Sequence, residues 1–219
     1  MKSMPGLDSF TFIPMMTDVR GKADTDTGTK KDLGKAVKGG KAGSQNTYLL
    51  QHIAHLQEVS DDREYLQTLQ DYFRNEHISM EALHPQTFTH REREQYFQGV
   101  LEKFPKKTLV ILDPDTGLEA SKPDQHHLLL SEVKMIHDNL DTGSVLQIYQ
   151  HFPRKVHEDY IRQRCSQLSE LTGTSPLTIT DNEIIFFLST KNPGLHQELD
   201  LVLEKYANSY PALSSRSWC

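Results

Sequence analysis

The sequence predicts a three-layer α/β domain in which helices cover both faces of a mostly parallel sheet that ends in an antiparallel hairpin. Three observations favour this fold. Short apolar segments typical of buried strands alternate with longer segments whose apolar residues recur at helical spacing. The segment 109–112 is a run of four apolar residues bounded by lysines and by Pro114, as expected of a strand buried on both faces. Two strongly apolar segments, 176–180 and 183–189, are separated by only two polar residues, which predicts a hairpin.

Length and composition indicate one α/β domain over residues 1–208, followed by a polar tail over 209–219. The chain has 219 residues, a hydrophobic content of 36% and a net charge of −6, so nucleic-acid binding would need a local basic patch. Cys165 and Cys219 are the only cysteines, which argues against a disulfide framework and favours the reducing cytoplasm. No apolar run is long enough to cross a bilayer and no signal-peptide pattern is present, so we expect no membrane partner.

The remaining elements follow from apolar spacing and from capping residues. Residues 10–16 predict a first strand whose boundary or edge position is set by Pro14. Residues 19–46 predict a flexible loop, because they contain six lysines and six glycines and almost nothing apolar. The spacing then predicts helices over 47–59, 61–73, 89–104, 126–140, 157–171 and 194–206, and strands over 78–83, 109–112 and 144–149 in addition to the hairpin.

Two carboxylates follow the central strand. Asp113 and Asp115 come directly after segment 109–112, and ligands of α/β sheets bind outside the carboxyl ends of parallel strands. If the extended geometry continued, both side chains would project to the same side, where they could share a proton or hold a metal ion. The alternative is structural, because Asp-Pro-Asp-Thr-Gly is also typical of a turn. We expect a functional acidic cluster at this position.

A second set of polar residues follows the strand predicted over 144–149. Tyr149 ends this strand, and His151 and Arg154 come after it. A histidine here can serve as a general base and an arginine can bind an anion, while Tyr149 and Phe152 can stack on a planar base. The alternatives are a histidine satisfied by a backbone carbonyl and aromatic rings that belong to the core. We expect this strand to lie beside the central strand, with both sets of side chains in one crevice.

The order strand, helix, strand, helix and hairpin over residues 108–190 resembles the latter half of class I S-adenosylmethionine-dependent methyltransferases. In that family the fourth strand ends in Asp or Asn, two prolines and an aromatic residue, and the matching residues 113–116 read Asp-Pro-Asp-Thr. The resemblance implies a Rossmann-like fold, S-adenosylmethionine as the methyl donor, and a role for Asp113 in orienting or deprotonating the acceptor. The family's first strand leads into a Gly-x-Gly turn, whereas residues 15–22 contain one glycine.

The two strand ends also resemble those of uncharacterised bacterial proteins. In those proteins one strand ends in Leu-Asp-Pro-Asp-x-Gly-Leu-Glu and a later strand ends in Tyr-Gln-His, which correspond here to residues 112–119 and 149–151. This resemblance supports the pairing of the two strand ends and implies no activity.

A divalent metal ion is the alternative use of the acidic cluster. Asp113 and Asp115, with Glu119 as a third ligand, could hold Mg²⁺ or Mn²⁺ for phosphodiester hydrolysis by a nuclease or phosphoesterase. Pro114-Asp115 followed by Glu132-Val133-Lys134 also resembles the Pro-Asp…Glu-x-Lys signature of a nuclease superfamily. That signature requires residues 128–136 to form a strand. A non-catalytic binding module that kept the fold is a third hypothesis.

The leading functional hypothesis is a methyltransferase-like enzyme that acts on a nucleotide or nucleic acid. The lysine-rich loop 19–46 could be a lid over phosphate groups or a nucleic-acid contact, or it could be passive. The catalytic residues are expected to be Asp113, Asp115 and His151. The residues expected to bind substrate or cofactor are Asp18, Gly21, Lys22, Lys35, Tyr149 and Arg154.

Overall fold

Alternating helices and strands give a mixed α/β fold in the computed structural model, which describes residues 6–16, 32–59, 61–153 and 155–217. The strands formed by these residues are β1 Ser9–Ile13, β2 Ser79–Ala82, β3 Thr108–Leu112, β4 Gly117–Leu118, β5 His127–Leu128, β6 Val145–His151, β7 Leu177–Thr180, β8 Ile184–Ser189 and β9 Ser214–Ser217. The helices are α1 Leu33–Lys38, α2 Thr47–Leu56, α3 Asp62–Asn75, α4 Arg93–Glu102, α5 Leu130–Asn139, α6 His157–Thr172 and α7 Pro193–Asn208.

Seven of these strands form one sheet in the order β2-β1-β3-β6-β8-β7-β9, and β4 pairs with β5 in a separate two-stranded sheet. The strands β2, β1, β3 and β6 are parallel neighbours. In contrast, β8 is antiparallel to both β6 and β7, so it lies between two strands that run in the same direction. The predicted α/β class and the antiparallel hairpin are confirmed, and the sheet as a whole is mixed.

Helices cover both faces of the sheet. The face that carries Val110 and Leu112 packs against α4, α5 and α6 in the main hydrophobic cluster. The opposite face carries Leu109 and packs against α7. Phe10 of β1 is in register with Leu109, and its ring lies 4.9 Å from that of Phe73 in α3, so α3 covers this second face too. These two surfaces are called the α5 face and the α7 face below.

Polar caps set the helix ends. Asn46 and Asp61 precede α2 and α3, and the side chain of each accepts hydrogen bonds from backbone N–H groups in the first turn. Gly173 ends α6 with a φ of +70°, the left-handed conformation that glycine adopts without strain.

No helix in the described part of the chain combines the length and the apolar character needed to cross a bilayer.

Two segments predicted to lack regular structure contribute elements to the fold. The helix α1 lies within the predicted loop 19–46, and the chain after it is held where Lys41 Nζ donates to Asp181 Oδ2 at 3.2 Å and to Glu183 Oε1 at 2.8 Å. The strand β9 lies within the predicted tail 209–219 and pairs antiparallel with β7. Residues 214–217 are polar, so their sequence carried no strand signal, and the open edge of β7 supplies the partner.

Several boundaries differ from the prediction for physical reasons. The first strand ends at Ile13, before Pro14, and it is an inner strand between β2 and β3 rather than an edge strand. The helix α5 begins at Leu130 and not at residue 126, because residues 127–128 pair with β4 as β5. The strand predicted over 144–149 extends to His151.

Candidate functional site

The ends of β3 and β6 form the candidate site. The two strands are parallel neighbours, and Leu112 is in register with Ile148. Asp113 follows β3 directly and His151 is the last residue of β6, so both reach the carboxyl edge of the sheet. Because side chains alternate along a strand, Asp113, Tyr149 and His151 are all placed toward the α7 face. The predicted proximity of the two strand ends is confirmed.

Asp113 is an ionisable side chain in a partly buried position. Its backbone N donates to Ile13 O at 3.2 Å, which joins the end of β3 to the end of β1. Burial, together with the nearby Asp115 carboxylate, raises the pKa of Asp113 from 3.8 to about 6. A carboxyl with this pKa exchanges its proton close to neutral pH, as a general base must.

Two tyrosine hydroxyls lie close enough to the Asp113 carboxylate for its charge to raise their pKa values. Burial, Asp113 and then Asp181 raise the pKa of Tyr149 to about 12. Partial burial and the Asp113 carboxylate also raise the pKa of Tyr65, which lies on α3. Both hydroxyls therefore stay protonated at neutral pH and can donate hydrogen bonds.

His151 is exposed at the end of β6, and its ring is oriented by Tyr149. Tyr149 Oη lies 2.8 Å from His151 Nε2, and the two rings meet edge to face with centroids 5.0 Å apart. Tyr149 in turn contacts Phe186 of β8, with ring centroids 5.7 Å apart. The imidazole is therefore held by a side chain and not by a backbone carbonyl, and it remains accessible to a ligand.

Asp115 lies near Asp113, but its hydrogen-bond partner is a histidine in another loop. Its Oδ2 lies 2.7 Å from His126 Nδ1, in the loop before β5, and the His126 side chain is only 18% exposed. Thr116 holds the same loop, because its N and Oγ1 both donate to His126 O. The extended geometry that would place Asp113 and Asp115 on one side does not continue, since the chain bends after Pro114.

His126 is therefore a site residue that the sequence analysis missed. It was assigned to a helix, where its pairing with Asp115 would not occur. The signal that could have identified it is the pair of histidines at 126–127, which follows the polar segment 121–125 and leads into the apolar face of α5.

Gln150 fastens the loop after Asp115 to β6, in an arrangement that we call the Gln150 bridge. Its side chain is 3% exposed, Oε1 accepts from Leu118 N at 2.7 Å, and Nε2 donates to Thr116 O at 3.3 Å and to His151 O. Gly117 lies between these contacts with a φ of +109°. The bridge is the physical link between the two sequence motifs, because one supplies the glutamine and the other the loop.

We expect Gly117→Ala to lower the free energy of unfolding by about 2 kcal/mol, because an alanine adds both backbone strain and a collision with a buried amide. A Cβ at Gly117 would lie 2.4 Å from Gln150 Nε2. Gly6→Ala is the matched control, since Gly6 has a φ of +100° and nothing within 4 Å of the added carbon. Urea unfolding of the two variants measures the difference, and equal losses would contradict the role of the bridge.

Glu119, the predicted third metal ligand, is directed to a helix. Its Oε2 accepts from Leu130 N at 3.0 Å at the start of α5, where a carboxylate is favoured by the helix dipole. Arg164 Nη2 donates to Glu119 O at 2.6 Å and fixes the same residue from α6. Within the described ranges, no group of three or more His, Cys, Asp or Glu side chains is arranged to hold a metal ion.

The nuclease signature does not have the secondary structure that it requires. Glu132 and Lys134 lie on α5 rather than on a strand. The Glu132 carboxylate is also bound by the buried Arg93, with Nε to Oε1 at 2.6 Å. The Pro-Asp…Glu-x-Lys interpretation is therefore wrong.

The remaining predicted residues divide into two groups. Lys35 lies on α1 with its side chain 85% exposed, and its Nζ lies 3.9 Å from Asp32 Oδ2. Phe152 already stacks on His157, with ring centroids 3.9 Å apart and a 10° angle between the ring planes. The residues that fall outside the described ranges are Asp18, Gly21, Lys22 and Arg154.

Comparison with known proteins gives no relative of this site. No family model, curated protein or solved structure matches the chain. What the site can do must therefore be argued from its own geometry.

Proposed function

We propose that this chain is an enzyme with a Rossmann-like, methyltransferase-like arrangement of strands, that it acts on a nucleotide or nucleic acid, and that Asp113 is its general base. The observation that carries the proposal is the Asp113 carboxyl, with a pKa of about 6, at the carboxyl edge of two parallel strands. Perturbed carboxylates concentrate at functional sites, and a base with a pKa near the working pH is the most effective.

The strand order supports the methyltransferase-like part of the proposal. Parallel strands β1, β3 and β6 are followed by β7 and β8, and the antiparallel strand β8 is inserted beside β6. This is the order of parallel strands and antiparallel hairpin on which the resemblance rested. A shared order of strands bears on the fold and leaves the reaction to be argued from the side chains.

S-adenosylmethionine would have to bind beyond the end of β1. Met15 is 1% exposed in the core, and Met16 O accepts from Phe88 N at 3.1 Å, so these two residues pack against the 83–88 segment. The sequence 15–22 has one glycine in place of the family's Gly-x-Gly turn. The base role of Asp113 is proposed without any step that uses this cofactor, and methyl transfer is tested directly below.

The surroundings of Asp113 suit an acceptor group that loses a proton. Tyr149 and Tyr65 can donate hydrogen bonds to a substrate oxygen and offer ring surface to a nucleobase. His151 can hold or move a second proton at the exposed side of the site. Lys41, bound to Asp181 in the hairpin turn, places the lysine-rich segment 32–46 at the same edge.

The metal-dependent nuclease has less support. Asp115 is paired with His126 and Glu119 with the first turn of α5, so two of its three proposed ligands already have partners. Mg²⁺ or Mn²⁺ would have to displace these contacts.

The proposed function is tested by the pH dependence of activity. Purified protein is assayed for methyl transfer from S-adenosylmethionine to short DNA and RNA, and for Mg²⁺- or Mn²⁺-dependent cleavage of the same oligonucleotides. The rate is expected to fall below about pH 6, where Asp113 becomes protonated, and to be lost in Asp113→Asn. Asp138→Asn on the exposed surface of α5 is the control.

The alternatives make different predictions in the same assays. If Asp113→Asn and His151→Ala keep the wild-type rate, Asp113 is not the base. If neither assay shows turnover and yet oligonucleotides bind, the non-catalytic binding module is favoured. Cleavage that needs the metal and is lost in both Asp113→Asn and Asp115→Asn would instead establish the metal-dependent enzyme.

A further inference from the structure

On the α5 face, directly behind the Gln150 bridge, lies a cavity of about 710 Å³. Its walls are the loop 116–121, the residues 150–153 and Lys155 after β6, and one side of α6 that carries Tyr160, Gln163, Arg164 and Gln167. This volume is within the range of small-molecule sites. His151 borders the cavity, while its imidazole bonds Tyr149 on the α7 face, so this residue lies between the cavity and the Asp113 site.

We propose that this cavity binds the nucleotide portion of the substrate, with its phosphate toward Lys155 and its base toward Phe152 and Gln163. The inference rests on the proposed function for the choice of a nucleotide. The shared chemistry is a nucleoside phosphate, which can come from a free mononucleotide or from the end of a nucleic-acid strand.

The charges of the lining favour an anion. Among the described residues that line the cavity, Lys155 and Arg164 are cationic, and the one carboxylate, that of Glu119, is bound at the start of α5. The protein as a whole carries a net charge of −6, so this local balance is opposite to the global one. Lys155 is exposed at the rim, where an ammonium group can reach a phosphate without losing another partner described in the structure.

The walls of the cavity are held in place before any ligand binds. Arg164 is 9% exposed, and its guanidinium donates to Glu119 O at 2.6 Å and to Gln167 Oε1 at 2.9 Å. The second contact orients the Gln167 amide, whose nitrogen is a hydrogen-bond donor. Gln150 fixes the opposite wall through Leu118 N. Preorganised walls reduce the entropy that a ligand loses on binding.

An aromatic surface and an amide are available for a base. Phe152 lines the cavity. Its stacking on His157 covers one face of its ring and fixes the orientation of the ring before a ligand binds. Base stacking on aromatic rings is a common mode of nucleotide binding that does not depend on the identity of the base. Gln163, exposed on α6, can form hydrogen bonds with the base edge.

The test is calorimetric titration of the full chain with AMP, adenosine, inorganic pyrophosphate and a short single-stranded oligonucleotide. AMP is expected to bind more tightly than adenosine, and pyrophosphate to compete with AMP. Lys155→Glu and Gln163→Glu are each expected to weaken AMP binding by at least about tenfold. Lys205→Glu, the same charge change on the exposed surface of α7, is the control and is expected to change binding by less than about twofold.

The outcomes separate the ligand sources and the two proposals. Binding of AMP without the oligonucleotide identifies a free nucleotide, and binding of the oligonucleotide alone identifies a strand end. No binding of either ligand, or affinity unchanged in both cavity variants, overturns the inference. Asp113→Asn keeps AMP affinity if the cavity binds as proposed, so loss of its activity reports on the base and not on the cavity.

Discussion

Replacement of Arg93 by methionine is expected to lower the free energy of unfolding by about 3–5 kcal/mol, because it leaves a buried carboxylate without its counter-ion. Arg93 Nε and Nη2 donate to Glu132 Oε1 and Oε2 at 2.6 and 2.8 Å, and both side chains are 6% exposed. Arg93 Nη1 also donates to Asp124 O and Gln125 O, each at 3.3 Å. Methionine keeps much of the volume of the side chain and none of these bonds.

Two further variants distinguish the buried pair from a general surface effect. Lys134→Met removes an exposed pair with Asp138 on the same helix and is expected to cost less than about 1 kcal/mol. Arg93→Met combined with Glu132→Leu is expected to recover part of the loss, because no unpaired charge remains buried. Urea unfolding followed by circular dichroism measures all three. A loss below about 1 kcal/mol in Arg93→Met would show that the pair is not what holds this region.

Arg93 also acts on the candidate site at a distance. The carbonyl groups that it binds belong to the loop that carries His126, the partner of Asp115. Hydrogen exchange in Arg93→Met is therefore expected to increase at Thr116, whose N donates to His126 O. The α4–α5 interface and the loop that carries His126 are therefore coupled through Arg93.

Those features of the fold that depend on local pattern could be predicted from the sequence. The apolar run 109–112, the capping residue Asp61 and the two-residue spacing of the hairpin each determine their element almost alone. The juxtaposition of Asp113 and His151 could also be predicted, because parallel strands joined by a helix bring their carboxyl ends to one edge.

What could not be predicted depends on contacts between distant segments. Residues 126–129 have apolar positions at helical spacing, but pairing with β4 and the bonds from Arg93 to residues 124–125 keep them out of α5. The direction of Asp115 follows from that difference, since His126 is available only in a loop. The role of Gln150 could not be predicted from the residues around it, because its hydrogen bonds go to a distant loop whose course depends on the φ of Gly117.

Asp113→Asn is expected to stabilise the protein by about 3 kcal/mol above pH 7, while it removes the proposed base. The pKa of Asp113 is about 6 in the folded protein and 3.8 as the ordinary value, so the folded state holds this proton more tightly than the unfolded state. Between these two values stability falls as the pH rises, by about 1.4 kcal/mol per pH unit, and above about pH 6 the full penalty of the buried charge is present. Asparagine keeps the shape and carries no charge.

The measurement is the free energy of unfolding of both proteins at pH values from about 4 to 8. Asp113→Asn and the wild type are expected to converge toward pH 4 and to differ most above pH 7. Asp141→Asn serves as the control of opposite sign. Burial alone would raise the pKa of Asp141, but hydrogen bonds from Ser144, Gly143 and Lys107 lower it below 3.8, so the stabilisation by the charged carboxylate is fully present above pH 3.8. Asp141→Asn is therefore expected to be less stable than the wild type by the same amount from about pH 4 to 8. If the wild type and Asp113→Asn have the same free energy of unfolding at about pH 8, the charged Asp113 carboxylate is better solvated than its burial indicates. The stabilising effect and the loss of activity would then not share one cause.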